Sequence, residues 1–379
     1  MDYNNRYLDW KINPEKYWKE CASNIDWFKE WDTVLEKKSD SSYKWFSGGE
    51  LNTCYNCLDR HIKKGLKEKI SIIYDSPITG VKQFISYESL YKKVNEFAAG
   101  LIDLGVAKGD RVIIYLPMIP QVVIAMLGCA RIGAIHSVVF GGFASKELAN
   151  RIEDAKPKLI ISSSCGIEPN KIINYKMIID EALAISSHKP LNQVFYQRKQ
   201  LICNLDKPGD MDWQDFIQKE KIVNCVPVKS NDPLYILYTS GTTGIPKGIV
   251  RTNGGHAVAL YNSMLMTYGV KESSVFWAAS DVGWVVGHSY IVYAPLLLGC
   301  STVLYEGKPV GTPDAGQFWR VIEDYNVTCM FTAPTALRAI KKEDPSGKKI
   351  KKYNLKSLNS VFLAGERAAP ESIKWAMEK

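Results

Sequence analysis

The sequence of residues 109–140, GDRVIIYLPMIPQVVIAMLGCARIGAIHSVVF, is the clearest indication of the fold. A Gly-Asp turn leads into an apolar strand over 112–116. A helix around 121–131 follows, and a second apolar strand is predicted near 134–140. Strands that are apolar along nearly their whole length are typical of parallel sheets whose two faces are covered by helices.

The same alternation of strand and helix continues on both sides of this stretch. Ser86 is predicted to cap a helix whose apolar positions recur every three or four residues until Gly105. Further strands and helices are predicted at 159–162, 178–184, 234–239, 301–305, 317–325 and 360–363. We therefore predict an α/β fold of largely parallel sheets flanked by helices.

Composition and charge narrow the class of protein. The 379 residues are 46% hydrophobic and 23% charged, which excludes a disordered chain, a coiled-coil rod and a collagen-like chain. The net charge of +8 is a mild excess. The lysine-rich run at 341–352, KKEDPSGKKIKK, is predicted to be an exposed loop because it contains Pro345 and Gly347. No aromatic residue interrupts this run, so we predict no nucleic-acid partner.

Cysteine usage and the chain start bear on the compartment. Nine cysteines are scattered along the chain, unlike a secreted disulfide framework, and no signal or transit peptide is recognisable at the start. The uncharged stretch 112–130 resembles a membrane span, but Pro117 and Pro120 interrupt it. We therefore predict a cytoplasmic protein without membrane insertion.

The spacing Cys54-x-x-Cys57, together with His61, suggests a zinc site. No second pair of ligands follows at the spacing of a zinc site, so we predict no metal site there.

The segment YTSGTTGIPKG, residues 238–248, is the most specific functional motif in the sequence. A buried strand runs into a loop of glycines, hydroxyls and Lys247, in which backbone N–H groups and a positive charge can surround a phosphate. It is not the Walker pattern, because Pro246 stands where that pattern needs its second glycine. The alternative, a Gly/Thr-rich surface turn, does not explain the full string.

This string resembles the phosphate loop of the adenylate-forming enzymes, which include acyl-CoA synthetases, luciferases and the adenylation domains of peptide synthetases. Other strings resemble their short-chain branch, the acetyl- and propionyl-CoA synthetases: NCLDRH (56–61), DVGW (281–284), GHSY (287–290), YEG (305–307) and TAPT (332–335). Two strings resemble propionyl-CoA synthetases more than acetyl-CoA synthetases: GKPVGTPDAG (307–316) and AGER (364–367). The resemblance covers essentially the whole chain.

The resemblance implies ATP-dependent activation of a short-chain carboxylic acid to acyl-AMP and pyrophosphate, followed by transfer of the acyl group to CoA. Propionate is favoured over acetate because Ala364 stands where acetate enzymes usually hold valine. ATP, Mg²⁺ and CoA are the implied cofactor and substrates, and small molecules are the only implied partners. Catalysis would rest on positioning and on neutralising phosphate charge, without a protein nucleophile. A medium-chain or aromatic-acid ligase is disfavoured by the quoted strings, and the oligomeric state is left open.

The site residues are transferred from the family motifs onto this sequence. The catalytic residues of the phosphate loop are Thr239, Thr242, Thr243 and Lys247. The ATP- and AMP-binding residues are Ser240, Gly241, Gly244, Gly365, Glu366 and Arg367. The CoA-binding residues are Gly141, Gly142, Glu168, Pro169, Asn170 and Lys171. The acyl-pocket residues are Trp284, Val285, Val286 and Ala364.

Several of these residues have plainer interpretations. The resemblance to the CoA-binding motif is weaker at Glu168 and Lys171, because acetyl-CoA synthetases have arginines at these positions. Glu366 and Arg367 could form an ordinary surface ion pair, although their place after a strand end favours ligand binding. His288 could line the site or could be a satisfied core histidine.

The resemblance also predicts the domain organisation. Residues 1–75 would form a cap region like that of acetyl-CoA synthetases, and residues 76–379 an AMP-binding domain that stops before its C-terminal motifs. We expect the small C-terminal domain to be absent, so that the chain is a fragment or a truncated relative and its activity in isolation is doubtful. The alternative function is a catalytically incomplete nucleotide- or CoA-binding fragment, or a pseudo-enzyme.

Overall fold

A computed structural model describes residues 3–37, 42–239 and 246–379. Its strands are β1 (Thr33–Lys37), β2 (Tyr43–Ser47), β3 (Glu50–Leu51), β4 (Ile70–Ser76), β5 (Val81–Ser86), β6 (Arg111–Tyr115), β7 (Ile135–Val138), β8 (Leu159–Ser163), β9 (Cys165–Glu168), β10 (Lys171–Asn174), β11 (Asn192–Tyr196), β12 (Asp210–Asp212), β13 (Val228–Lys229), β14 (Pro233–Thr239), β15 (Lys247–Thr252), β16 (Val275–Ala279), β17 (Ser301–Tyr305), β18 (Cys329–Thr332) and β19 (Ser360–Leu363).

Helices connect and cover these strands. They are α1 (Tyr3–Ile12), α2 (Pro14–Ala22), α3 (Thr53–Cys57), α4 (Asp59–Lys63), α5 (Tyr87–Asp103), α6 (Pro120–Ile132), α7 (Ser145–Ala155), α8 (Tyr175–Ile185), α9 (Trp213–Phe216), α10 (Asn253–Met266), α11 (Val285–Gly287), α12 (Ala294–Leu298), α13 (Gln317–Tyr325), α14 (Pro334–Glu343) and α15 (Pro370–Glu378). A π-helix spans His288–Tyr293 and a 3₁₀-helix spans Ile350–Lys352.

Two large sheets organise the fold. The first has seven strands in the order β12-β11-β8-β6-β7-β14-β15, and the second has six strands in the order β19-β18-β16-β17-β4-β5. Every neighbouring pair is parallel except the edge pairs β14–β15 and β4–β5. The predicted α/β class with largely parallel sheets is therefore confirmed.

The stretch 109–140 folds as predicted, into β6, α6 and β7. Helix α6 is buried on all sides, as expected for a helix that is apolar all round. It begins at Pro120 and ends against Gly133, whose φ of 73° is the left-handed conformation that suits a glycine after a helix. One continuous core contains side chains of α5, α6 and strands of both sheets.

The Ser86 cap is also confirmed, since its hydroxyl accepts a hydrogen bond from the Ser89 amide at 3.1 Å at the start of α5. The lysine-rich run differs from the prediction. It begins in α14 and ends in the 3₁₀-helix, because the carboxylate of Asp344 accepts hydrogen bonds from the amides of Lys348 and Lys349 and orders the turn between them.

The predicted division at residues 75 and 76 falls inside β4, which pairs with β5 and β17 in the six-stranded sheet. The division remains a prediction. Within the described residues, no helix is long and apolar enough to cross a membrane, and the nine cysteines are free thiols.

The topology places several predicted site residues at the carboxyl ends of parallel strands. Gly141 follows β7 and Thr239 ends β14, both at the carboxyl ends of parallel strands of the first sheet. Asp281 follows β16 and Gly365 follows β19, at the corresponding edge of the second sheet. Open parallel sheets bind ligands at these edges, and here the two edges meet.

Candidate active site

The predicted phosphate loop connects two paired strands. Thr239 at the end of β14 lies opposite Lys247 at the start of β15, and both residues are exposed. The connection contains five predicted residues that lie outside the described part of the chain: Ser240, Gly241, Thr242, Thr243 and Gly244. The hairpin therefore fixes both ends of the loop next to each other.

A cavity opens beside the loop that follows β7. Gly141 and Gly142 line it together with Glu168, so the structure brings three of the predicted CoA-binding residues to one place. A Cβ atom on Gly141 would lie 2.1 Å from the hydroxyl oxygen of Tyr175, which also lines the cavity. Only glycine fits at this position, because any side chain would displace Tyr175.

The remaining CoA candidates lie at the tip of the β9–β10 hairpin. Pro169, Asn170 and Lys171 are exposed there, and they are not among the residues that line the cavity. Glu168 faces Lys308 across the cavity mouth, with 3.4 Å between Oε1 and Nζ. Because both side chains are half-exposed, this ion pair can open at little cost in free energy.

Asp281 also lines the cavity, although the DVGW string to which it belongs predicts no separate role for it. Its carboxylate accepts a hydrogen bond from the Gly283 amide at 2.7 Å. Burial raises the pKa of Asp281 to about 6, while this amide and the charge of Lys308 act in the opposite direction. The side chain can therefore exchange a proton close to neutral pH.

The acyl-pocket candidates fall into two groups. Trp284 and Val285 are 48% and 45% exposed, and the Trp284 ring packs against Phe140, with 5.5 Å between ring centroids. Val286 and Ala364 are half-buried, and both pack against the main core. Trp284 thus lies beside the loop that carries Gly141 and Gly142.

His288 is a core residue. It is fully buried in the π-helix, and its Nδ1 lies 3.3 Å from the carbonyl oxygen of Trp284. Burial lowers the pKa of His288 to about 4, so the ring is neutral at physiological pH. The core interpretation of this histidine is the one that the structure supports.

The predicted nucleotide residues follow β19. Gly365 has a φ of 100°, a conformation that favours glycine, and Glu366 and Arg367 are exposed. Glu366 does not pair with Arg367: it accepts a hydrogen bond from Arg338 at 2.9 Å, which lowers the pKa of the Glu366 carboxyl. Among the described residues, no hydrogen bond joins these three residues to Thr239 or Lys247.

A buried ion pair links the two sheets, and its carboxylate partner, Glu306, lines the cavity. Arg198, after β11, binds Glu306, after β17, with 2.7 Å between Nη1 and Oε1. The hydroxyls of Tyr74 and Ser76 donate hydrogen bonds to the same carboxylate at 2.7 and 2.9 Å. Because Arg198 is distant in sequence, the YEG string alone did not reveal this partner.

The cysteines considered for zinc do not converge on one point. Nε2 of His61 lies 2.8 Å from the carbonyl oxygen of Leu296, and Sγ of Cys57 lies 4.0 Å from the carbonyl oxygen of Tyr293. Burial lowers the pKa of His61 to about 3. These contacts are those of core residues.

Cys54 instead lies beside Asp59 and Cys225, a grouping with potential metal ligands. A guanidinium already occupies this place. Arg131 donates two hydrogen bonds to the Asp59 carboxylate, each of 2.8 Å, and its Nη1 lies 3.6 Å from Sγ of Cys54. An arginine that neutralises the acidic ligand disfavours a cation at the same point.

Comparisons with known proteins agree with the motifs and with the geometry. A family model described as "AMP-binding enzyme" matches residues 58–379, and a model described as "Acetyl-coenzyme A synthetase N-terminus" matches residues 3–57. The chain belongs to the AMP-binding enzyme family. The resemblance that the sequence motifs predicted is thereby confirmed.

Two relatives in this family are named as acyl-CoA or acetyl-CoA synthetases. The "Acyl-CoA synthetase short-chain family member 3, mitochondrial" of Bos taurus is 51% identical over 376 residues, which are 99% of this chain and 55% of the relative. The "Acetyl-coenzyme A synthetase" of Leptospira biflexa is 41% identical over 99% of this chain and 58% of the relative. The chain therefore spans little more than half the length of these curated relatives.

A solved structure of the "Acetoacetyl-CoA Synthetase from Streptomyces lividans" has the same fold. The TM-score is 0.87 with 23% sequence identity, over 96% of this chain and 55% of that chain. This match supports the α/β arrangement of the AMP-binding domain.

Proposed function

We propose that the full-length protein is an AMP-forming acid–CoA ligase. It would activate a short-chain carboxylate with ATP to acyl-AMP and pyrophosphate, and the CoA thiol would then displace AMP. The observation that carries this proposal is that the phosphate-loop hairpin and the Gly141-Gly142 loop both begin at the carboxyl ends of β14 and β7, which are neighbouring parallel strands of the first sheet. Membership of the AMP-binding family supports it.

Each step has residues suited to it. Lys247 and the hydroxyl of Thr239 flank the loop that would hold the β- and γ-phosphates, where a positive charge stabilises the departing pyrophosphate. Mg²⁺ would supply further charge neutralisation at the phosphates when it is bound. Gly365, Glu366 and Arg367 would border the adenine and ribose. ATP and CoA are substrates in this scheme.

CoA would enter through the cavity of Gly141, Gly142 and Glu168, with Pro169, Asn170 and Lys171 at its outer rim. In this chain the Glu168–Lys308 ion pair lies at the rim where acetyl-CoA synthetases have arginines. Lys171 is the remaining cation of the predicted CoA stretch. The pantetheine thiol would then approach the acyl group past Trp284.

We propose propionate as the preferred acid, with acetate as a weaker substrate. Ala364 is half-buried against the main core, and its amide donates a hydrogen bond to the Thr332 carbonyl at 3.2 Å, so its backbone is fixed. A methyl side chain at this point leaves room for one further CH₂ of the substrate. Such a group contributes about 1–3 kcal/mol, or roughly 10–200-fold in discrimination.

The test is kcat/KM for acetate, propionate and butyrate with the full-length protein and with Ala364→Val. We expect propionate to be preferred and the valine variant to shift the ratio towards acetate by about tenfold or more. Val361→Ala, at an exposed residue of β19, the strand that immediately precedes Ala364, is the matched control. Acetate preference in the natural protein would refute the acid assignment. Absence of acyl-CoA formation with every acid would favour a nucleotide- or CoA-binding protein without ligase activity.

We also propose a cytoplasmic location, supported by the free thiols of the nine cysteines. The Bos taurus relative is named as mitochondrial, which is the competing outcome. Fractionation of cells with an antibody to the natural protein decides between the two.

A further inference from the structure

Helix α7 contacts the strand that enters the phosphate loop. Tyr238 is the residue before Thr239 on β14, and its ring is buried. The Tyr238 hydroxyl donates a hydrogen bond of 2.5 Å to Oδ2 of Asp154 in the last turn of the helix. The guanidinium of Arg151, one turn earlier, lies 5.5 Å from the centroid of the same ring.

The same arginine contacts the loop on the CoA side. Its guanidinium carbon lies 4.5 Å from the ring centroid of Phe143, the residue that follows Gly141 and Gly142. The Phe143 ring in turn lies 6.3 Å from that of Trp284, the predicted acyl-pocket residue. A chain of side-chain contacts thus runs from the acyl pocket through Arg151 to the phosphate-loop hairpin.

Arg151 is held in this place. Its side chain is only 6% exposed, and its Nη1 lies 2.9 Å from Oε2 of Glu147 on the same helix. A guanidinium is flat and permanently charged, so one group can face two aromatic rings while it keeps its ion pair. A lysine at this position could face only one ring at a time.

We propose that Arg151 and Asp154 are positioning residues that hold the phosphate-loop hairpin and the Gly141-Gly142 loop in one fixed relation. This inference rests on the proposed ligase function, in which adenylation occurs at the first element and thiol transfer occurs past the second. Arg151 serves both elements, whereas Asp154 serves the hairpin through the Tyr238 hydroxyl. A displacement of about 1 Å at reacting groups can cost on the order of a hundredfold in rate.

The alternative is that these contacts only stabilise the fold. A packing role would lower the melting temperature and leave the kinetic constants of the folded protein unchanged. A positioning role would change kcat or KM with little change in melting temperature. The two half-reactions separate the contributions: ATP–pyrophosphate exchange reports on adenylation, and the KM for CoA reports on the second element.

The experiment compares Tyr238→Phe, Asp154→Asn, Arg151→Leu and Arg151→Lys in the full-length protein. We expect Tyr238→Phe and Asp154→Asn to lower kcat of the exchange reaction about tenfold while the KM for CoA stays the same. Arg151→Leu should lower that kcat and also raise the KM for CoA, and Arg151→Lys should recover part of both. Asn150→Ala, an exposed residue of the same helix, should match the natural protein.

Kinetic constants within twofold of the natural values in all four variants would overturn the inference. Tyr238→Phe removes a single hydroxyl, so it keeps the test valid if Arg151→Leu does not fold. If the natural protein shows no pyrophosphate exchange with any short-chain acid, the proposed ligase function is refuted, and the positioning role that depends on it is refuted as well. Exchange in the natural protein with unchanged variants refutes the positioning role alone.

Discussion

Acid should destabilise this protein because several of its histidines are buried as neutral rings. Burial lowers the pKa of His61 and His256 to about 3 and that of His288 to about 4, from an ordinary value near 6.5. The pKa of His136 is also lowered by burial. A lowered histidine pKa contributes stability that is complete above the unfolded value and is lost as pH falls through it.

The magnitude follows from proton linkage. At pH 5 each of the first three histidines would be protonated in the unfolded chain and neutral in the folded protein, which costs about 2 kcal/mol per ring relative to pH 7. Asp281 acts in the opposite direction, because its raised pKa of about 6 favours the folded state at lower pH, by about 1 kcal/mol over the same range. The net expected loss between pH 7 and pH 5 is about 5 kcal/mol, a large part of a typical folding free energy.

The assay is urea unfolding at pH 7, 6 and 5, followed by tryptophan fluorescence, with the free energy of unfolding extrapolated to water. We expect His288→Gln to reduce the slope of stability against pH by about one proton per molecule. The natural protein, measured in parallel, is the reference for that slope. Equal free energies of unfolding at pH 7 and pH 5 would refute the reasoning.

Three further predictions concern the site. Lys247→Ala should lower the adenylation rate about a hundredfold or more, because the side chain would bind phosphate. The melting temperature should not change, because the side chain is exposed. Equal adenylation rates in this variant and in the control Lys271→Ala, at another exposed lysine, would exclude the phosphate-binding role. Gly141→Ala should raise the KM for CoA, because the new Cβ atom would collide with the Tyr175 hydroxyl. Adding Tyr175→Phe should bring the KM for CoA part of the way back to the natural value. An unchanged KM for CoA in Gly141→Ala would contradict this close approach. Glu306→Ala should lower the free energy of unfolding by about 3–5 kcal/mol, because it leaves Arg198 charged, buried and without its partner. The double variant Arg198→Met with Glu306→Leu should lower it by less, because no buried charge remains. Urea unfolding of both variants measures the two free energies.

The local secondary structure and the family could be predicted from the sequence. The apolar stretches of 109–140 predicted β6, α6 and β7, since the periodicity of burial is written in neighbouring residues. The phosphate-loop string and the short motifs around it identified the AMP-binding family, because glycines and hydroxyls close together in sequence act together in one loop.

Contacts between residues that are distant in sequence could be found only in the folded structure. The Arg198–Glu306 pair joins residues 108 positions apart, and the Tyr238–Asp154 hydrogen bond joins residues 84 positions apart. Glu366 pairs with Arg338 instead of its neighbour Arg367. Such contacts depend on how the two sheets pack, and packing is set by the whole core rather than by any short pattern. The raised pKa of Asp281 and the lowered pKa of His288 have the same origin, because burial in the assembled fold determines them.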